Sequence, residues 1–454
     1  MGAGLRPAPI VDVEIDDHLF PRRTFILPEL PPANSPFFIA SLNLADAIAA
    51  TRSYIDANWE NTFRVSREET PKEISLPRPH TVPSTDPSMW LFFYWDTYFT
   101  NLGLIRQGRF DQALNNAENV IYLLERLGFV PNISVKIALN RTQVPVSAVL
   151  FAEIYAHSRD KVWLARAYAA LVKEYAFWMA LRVAPNGLAT CGNFADPVTL
   201  ANFYDVIKHR LADIPEDPVA RLRYLHHKMA ECEVWDFNPR FDQRAADFNP
   251  VDTNAILYQF ETIAGDFARE LGLADAETVW RERAARRRAL VDEYLWHEDQ
   301  GFYFDYDWAN RRPGRVVSAA PYFALWSGIC SDVQAAALTR NLPLVERAHG
   351  VMACAEGSNN SVNTYQWDAP NAWPPHQTAA IMGLLRHGFK ADARRVAEKY
   401  VLTCARNLTT TGQLWEKYNA LTGRIDVADE YKMPHMMGWT AGGCVHACEV
   451  LESV

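Results

Sequence analysis

Apolar residues recur at spacings of three and four along most of this 454-residue chain, which is the period of an α-helix with one buried face. The period-two alternation that would indicate strands is scarce. About a dozen helices without a Gly/Ser-rich linker predict an all-α fold in which helical hairpins close into one toroid, although periodicity alone leaves a bundle or an open solenoid possible. The predicted helices cover residues 42–60, 111–127, 146–155, 162–180, 250–271, 275–295, 319–329, 332–342, 376–387, 391–406 and 440–451.

The beginning of the chain has a different character, because prolines are frequent there and periodic apolar positions are few. Pro28, Pro31, Pro32 and Pro36 all fall in this stretch, and proline disfavours the interior of a helix. We therefore expect residues 1–36 to form an extended N-terminal arm that wraps the main body. Residues 37–454 are then expected to form a single catalytic domain.

Composition excludes several classes of protein. A net charge of -9 argues against a nucleic-acid partner, since such binding depends on clustered Lys and Arg. No apolar run approaches the ~20 residues needed to span a bilayer, and the first residues lack the apolar core of a secretory signal. Seven scattered cysteines do not suggest a disulfide framework, and the histidines show no metal-ligand spacing. We expect a cytoplasmic protein with no membrane contact, no metal and no other cofactor.

Two carboxylates stand among aromatic residues in segments far apart in the chain. The first segment, residues 231–241, contains Asp236, and the second, residues 429–431, contains Glu430. Cleaving a bond between sugars requires one carboxylic acid to protonate the departing oxygen and a second carboxylate to act on the opposite face of the ring. Neighbouring apolar rings would raise the pKa of the acid by desolvation. The pattern therefore predicts a glycosidase acting on a small carbohydrate.

Several further segments between the helical patterns combine aromatic rings with amides and charges. A sugar site needs ring faces as platforms and polar side chains for the hydroxyl groups. Any single segment could instead supply core packing or a helix cap. Together they favour a sugar site, and they comprise residues 93–99, 131–132, 140–143, 235–236, 250–254, 366–375 and 415–418.

These motifs resemble the trehalases, glycoside hydrolase family 37. The family signature QWD-x-P-x-G-W-A-P corresponds to residues 366–375, with Ala372 and Pro374 as departures, and YYWDSYF corresponds to residues 93–99. Further agreements occur at residues 250–254, 302–307 and 416–418, in the order of the family. The resemblance covers most of the chain and implies an (α/α)6 toroid that hydrolyses α,α-trehalose with inversion.

The resemblance also implies roles for individual residues. Asp236 would be the general acid and Glu430 the general base, with their carboxyl groups about 6.5–9.5 Å apart, as inversion requires. Asp368, Glu416 and Glu233 are the competing acids. Sugar contacts are implied at Tyr94, Trp95, Asp96, Asn132, Arg141, Trp235 and Trp367, and the other candidate substrate-binding residues are Phe93, Gln143, Asp368, Glu416, Lys417 and Trp439.

Two substrate-binding arginines of the family have no counterpart here, one near Ser88 and one within residues 195–208. Losing such contacts commonly changes which sugar is accepted. Another small α-glucoside or α-mannoside, such as the mannosylglycerate cleaved by family 63 enzymes, is therefore an alternative substrate. A sugar epimerase is the alternative from another class, although only His376 and His435 accompany the motifs. A non-catalytic sugar-binding protein is a third possibility.

Overall fold

The structure, a computed structural model, describes residues 42–211, 213–357, 365–427 and 431–453. Within these ranges the regular structure is mainly helical. The predicted N-terminal arm at residues 1–36 lies outside the described residues. The α-helices are α1 Leu44–Asn58, α2 Tyr94–Arg106, α3 Phe110–Leu127, α4 Ser147–Ser158, α5 Lys161–Leu181, α6 Pro197–Ile207, α7 Pro218–Glu231, α8 Val251–Glu270, α9 Ala274–Tyr294, α10 Pro321–Ser327, α11 Asp332–Asn341, α12 Pro374–Arg386, α13 Lys390–Thr411 and α14 Gly438–Ser453.

Twelve of these helices form two concentric rings. The inner helices α2, α4, α8, α10, α12 and α14 contact one another in that order, and α14 closes the ring by packing on α2. The outer helices α1, α3, α5, α9, α11 and α13 each pack against inner helices. Their buried faces share one large apolar core. The predicted closed (α/α)6 toroid is confirmed.

The connections between helices alternate in length, and this alternation positions the site. An inner helix passes to the following outer helix through a short turn, such as residues 107–109 after α2 or 387–389 after α12. An outer helix returns to the next inner helix through a much longer segment, such as residues 412–437 before α14. Because the two kinds of connection lie at opposite ends of a ring of antiparallel pairs, the long segments gather where the inner helices begin.

Short antiparallel strands lie within the long segments, and two of the strand pairs join different segments. Residues 371–372 pair with 418–419, which brings two of the predicted sugar-site segments together. The strands are β1 Phe63–Arg64, β2 His80–Thr81, β3 Phe248–Asn249, β4 Trp296–His297, β5 Phe302–Tyr303, β6 Tyr306–Asp307, β7 Arg312–Pro313, β8 Glu346–Arg347, β9 Gly350–Val351, β10 Asn371–Ala372 and β11 Tyr418–Asn419.

Three helices were not predicted from the sequence. Residues 93–99 were expected to lie between helices, as a loop, and that expectation is wrong, because α2 begins at Tyr94. Helix α2 is buried on nearly every side, so its apolar residues do not mark one face. Helices α6 and α7 are the other two; they lie outside the two rings and pack on each other around Leu200, Phe203 and Tyr224.

The inner ring closes where two glycines allow α2 and α14 to approach each other. A Cβ atom added to Gly442 would meet the carbonyl oxygen of Phe99 far inside van der Waals contact, and one added to Gly103 would lie 2.7 Å from the Cα of Gly442. Both obstacles are backbone atoms of regular helices, which cannot move independently. The absence of side chains at these two positions therefore sets the spacing of the helix pair.

A buried arginine joins two of the long segments to the start of α8. Both sides of the Arg240 guanidinium are paired: Asp252, in the first turn of α8, accepts at 2.8 and 3.0 Å, and Asp305 accepts at 2.7 and 2.9 Å. The guanidinium carbon lies 4.0 Å from the ring centroid of Trp235. All four residues are buried. The segment that carries Asp236 is thereby tied to the ring.

The seven cysteines are buried and form no disulfide bonds with one another. No helix in the described part of the chain has the length and apolar character to cross a bilayer.

We predict that Gly442→Ala destabilises the fold strongly, because the added methyl group forces α14 away from α2. Overpacking in a core costs about 1–3 kcal/mol, and the backbone contact here places the expected loss at or above the upper end of that range. Urea unfolding followed by circular dichroism measures it. Glu452→Ala on the same helix removes only an exposed ion pair with Arg52 and should change stability by less than about 1 kcal/mol. Equal stability of the two variants would contradict the close approach.

We also predict that Arg240→Met lowers the free energy of unfolding by about 3–5 kcal/mol, because two buried carboxylates lose their partner. The pKa of Asp305 is already raised by burial while Arg240 lowers it, so removing the arginine raises it further. A raised folded-state pKa costs stability as pH increases, so the deficit should be smaller at about pH 5 than at about pH 8. Exposed Arg315→Met is the matched control. A deficit independent of pH would argue against the buried pairs.

Candidate active site

Five tryptophans pack together at the end of the toroid where the inner helices begin. Trp95 and Trp439 lie in the first turns of α2 and α14, and the other three come from two of the long segments. Trp367 and Trp373 stack in parallel, with ring centroids 3.8 Å apart. Trp235 stacks on Trp367 at 5.8 Å, and Trp95 tilts against Trp367 at 5.9 Å. Trp439 meets both stacked rings edge-on. All five rings are buried, so they form a rigid apolar base beside the carboxylates.

Asp236 follows Trp235 and lies next to this base. Its side chain keeps 38% of its surface exposed, although protein surrounds it on the remaining sides. Burial is the main cause of a raised pKa, and the positive charges of Arg210 and Arg141 oppose it. A carboxylic acid that holds its proton nearer neutral pH, yet remains reachable from solvent, has the properties of a general acid.

Asp96 lies near Asp236, and Glu416 lies near Asp96. Asp96, in the first turn of α2, is buried, and its pKa is raised well above the usual range by burial, by Glu416 and by Asp236 itself. Glu416 is also buried but is ion-paired with Lys417 at 2.7 Å. The Tyr431 hydroxyl donates to the other oxygen of Glu416 at 2.7 Å. Glu416 therefore holds in place the residue that follows Glu430 in the chain.

Glu430, the predicted general base, lies outside the described residues. The neighbouring Tyr431 is described, and its ring lies under the guanidinium of Arg210 at 5.5 Å. Because Arg210 is also near Asp236, the chain after residue 430 reaches the surroundings of the predicted acid.

Glu233, a competing acid, has a structural role. Its carboxylate accepts two 2.8 Å bonds from Arg182 and further bonds from the backbone N–H groups of Thr142 and Gly192. The side chain is buried. Four donors occupy its oxygens, so the carboxylate serves to hold these segments together. Asp368, another of the three competing acids, is buried and accepts from the backbone N–H of Ala369.

The segments at residues 131–132 and 140–143 form a support behind α2. The backbone N–H of Asn132 donates to the carbonyl of Arg141, and the Asn132 amide donates to the carbonyl of Cys232. The Gln143 side chain accepts from the backbone N–H of Trp95 at 3.0 Å. Phe93 precedes α2 as its N-terminal cap residue. These contacts fix Asn132, Arg141 and Trp95 close to Asp236.

Tyr94 points into the core. Its hydroxyl donates to Glu174 at 2.6 Å and accepts from the backbone N–H of Ser147. Burial raises the pKa of Glu174 to about 7, with the bonds from Ser147 and Tyr94 acting against it. Tyr94 and Trp235 have no exposed surface. Sugar contacts by the thirteen predicted binding residues stay a prediction.

Two residues of this site were not predicted from the sequence. Arg210 lies 4.0 Å from the carboxylate of Asp236, and Tyr431 supports Glu416. Tyr431 could have been noticed because it adjoins Glu430, whereas no sequence pattern marks Arg210. In the described ranges no three His, Cys, Asp or Glu side chains are arranged to hold a metal ion. Metal-independent chemistry stays a prediction.

Comparison with known proteins places the chain in a family. A family profile described as trehalase matches residues 20–452. The periplasmic trehalase of Pseudomonas aeruginosa is 28% identical over 424 residues, which cover 87% of this chain and 76% of that protein.

Solved structures share the toroid. Neutral trehalase Nth1 from Saccharomyces cerevisiae has a TM-score of 0.70 at 24% identity, covering 88% of this chain and 80% of that one. A GH63 mannosylglycerate hydrolase from Thermus thermophilus has a TM-score of 0.62 at 17% identity, and the match covers 87% of this chain and 99% of that one. With the profile extending over most of its length, this chain belongs to the trehalase family of glycoside hydrolases.

Proposed function

We propose that this enzyme hydrolyses α,α-trehalose with inversion at the anomeric carbon. The observation that carries the proposal is Asp236, a partly exposed carboxyl group whose pKa is raised beside a cluster of five tryptophans. Membership of the trehalase family supports the choice of substrate. The P. aeruginosa relative, which is named a periplasmic trehalase, supports it further.

In the proposed reaction, Asp236 donates its proton to the oxygen between the two glucose units as the bond from that oxygen to the anomeric carbon breaks. Water attacks the anomeric carbon from the opposite face and gives its proton to Glu430. The products are one α- and one β-glucose. Burial of Asp236 assists the first step, because it favours the neutral acid over the carboxylate.

The assignment of Glu430 rests on the family resemblance. Contacts of the next residue support it: Tyr431 is held by Glu416 and lies under Arg210, which is near Asp236. An inverting pair needs about 6.5–9.5 Å between its carboxyl groups so that water fits between base and sugar.

A second candidate is hydrolysis of another small α-glycoside. Residues 87–91 correspond to the family's PGGRF segment but contain no arginine, and the mannosylglycerate hydrolase of T. thermophilus shares the fold. The epimerase alternative finds little support in the histidines. His376 is wholly buried, and burial holds its pKa well below the usual range. His435 is in contact with Thr85.

We also propose a cytoplasmic location. Seven cysteines without a disulfide bond among them are compatible with a reducing compartment. The relative from P. aeruginosa is named as periplasmic, so fractionation of the source cells is the deciding measurement.

We predict that Asp236→Asn lowers kcat on trehalose by at least about a thousandfold, because general acid catalysis contributes roughly 10²–10⁴-fold and the departing glucose is a poor leaving group. Asp242→Asn is a matched control in the same segment. Asp242 is exposed and has a backbone φ of 50°, a conformation that asparagine accepts well. It should keep wild-type turnover. Near-normal activity of Asp236→Asn would remove this residue from the mechanism.

Proton NMR of the first product tests the stereochemistry. Hydrolysis of trehalose with inversion should release α- and β-glucose in equal amounts before mutarotation, since only one of the two anomeric carbons is attacked. Release of α-glucose alone would indicate retention. Assays with trehalose, other α-linked disaccharides and mannosylglycerate separate the substrate candidates. An isomerised sugar without hydrolysis would identify an epimerase.

A further inference from the structure

We propose that Arg210 contacts the sugar and helps to determine specificity in this enzyme. The inference rests on the proposed hydrolytic function and adds a binding residue to the same site. No substrate-binding arginine was found in the sequence of residues 195–208. The structure brings a guanidinium to the acid from the turn that follows this segment.

The position of Arg210 is that of a site residue. Its Nη2 atom is 4.0 Å from an oxygen of Asp236, and its side chain is only 13% exposed. Lys208, two residues earlier in the same turn, is 48% exposed and pairs with Asp205 at the surface. The two side chains of one short turn therefore serve different environments, and Arg210 faces inward.

Aromatic rings hold the guanidinium in place. Its carbon lies 4.4 Å from the ring centroid of Phe237 and 5.5 Å from that of Tyr431. These distances are typical of cation–π contacts. The 4.0 Å separation from Asp236 exceeds hydrogen-bond length, so Asp236 is a charge neighbour of Arg210 rather than its hydrogen-bond acceptor. A planar group with several N–H donors, held beside the acid, is suited to sugar hydroxyl groups.

Helices α6 and α7 deliver Arg210 to this place. Their apolar cluster around Leu200, Phe203 and Leu225 continues to Cys232 and Phe237, which lie on either side of Asp236 in the chain. Helix α6 also supports the second arginine near the acid, because the guanidinium of Arg141 lies 5.8 Å from the ring of Phe203. Helices α6 and α7, which lie outside the two rings, therefore pack on the segment that carries Asp236. The turn between them places Arg210 beside this acid.

The charge of Arg210 also acts on the acid. Arg210 and Arg141 both lower the pKa of Asp236 and oppose burial, while Cys232 assists them through a hydrogen bond. Asp96 and buried Glu231 interact with Asp236 as negative charges. Removing the positive charge of Arg210 should therefore raise the pKa of Asp236. Activity that needs the protonated acid is then retained to higher pH.

Steady-state kinetics on trehalose test the proposal with Arg210→Gln, Arg210→Lys and the control Lys208→Gln. For Arg210→Gln we expect KM to rise about tenfold to a hundredfold, because a lost polar contact to substrate commonly costs that much. The alkaline limb of its kcat/KM profile should move to higher pH. Arg210→Lys keeps the charge but not the planar donors, so its alkaline limb should match the wild type while KM remains raised. Lys208→Gln should match the wild type in both.

Wild-type KM and an unchanged alkaline limb in Arg210→Gln would overturn the proposal. A fall in kcat alone, with both other quantities unchanged, would also overturn it, because that is the effect of a structural role. If Arg210→Gln does not fold, the KM of Arg210→Lys decides in the same way. Failure of the wild-type enzyme to hydrolyse trehalose would instead contradict the proposed function, and the same variants would then be compared on whichever glycoside it cleaves.

Discussion

The paired guanidinium of Arg240 is the contact on which the geometry of the site depends. Asp252 fixes it to the start of α8, Asp305 fixes it to the segment between β5 and β6, and its outer face packs on Trp235. Buried ion pairs contribute little net stability, since desolvation offsets their attraction, but they penalise any arrangement that separates the charges. Here they leave the segment bearing Asp236 a single position against the tryptophan cluster. The acid of a glycosidase needs a fixed position, because a small displacement from the reacting oxygen lowers the reaction rate by a large factor.

The architecture explains why the chemistry collects at one end. Inner and outer helices alternate along the chain, and the return to each inner helix takes the longer path. These segments are therefore free to carry tryptophans and charged groups, while the helices below them supply the apolar core. Helices α6 and α7 belong to one of these long segments. They add residues to one side of the site and leave the contacts between the inner helices unchanged. Substrate preference can then change while the acid and its support stay in place.

Much of the fold was predictable from periodicity, since α3, α5, α8 and α9 show regular apolar spacing and were placed to within about two residues at most ends. Helix α2 was missed because it is buried all round. Residues 250–254 and 302–307 were recognised as family segments. That Asp252 and Asp305 in these segments both pair with Arg240 could not be predicted, because the pairing depends on contacts between distant parts of the chain. The approach of Arg210 to Asp236 was unpredictable for the same reason. It results from the tertiary packing of α6 and α7, and neither helix was predicted from the sequence.

A crystal structure of the Asp236→Asn variant with trehalose bound is the decisive measurement, because the slowed variant should retain its substrate. We expect one glucose to lie beside the tryptophan cluster, with the side chain at position 236 within about 3.2 Å of the oxygen between the two sugars. The carboxyl group of Glu430 should face the opposite side of the same anomeric carbon. Trehalose bound on another surface, or position 236 out of reach of that oxygen, would contradict the assignment of Asp236 as the acid.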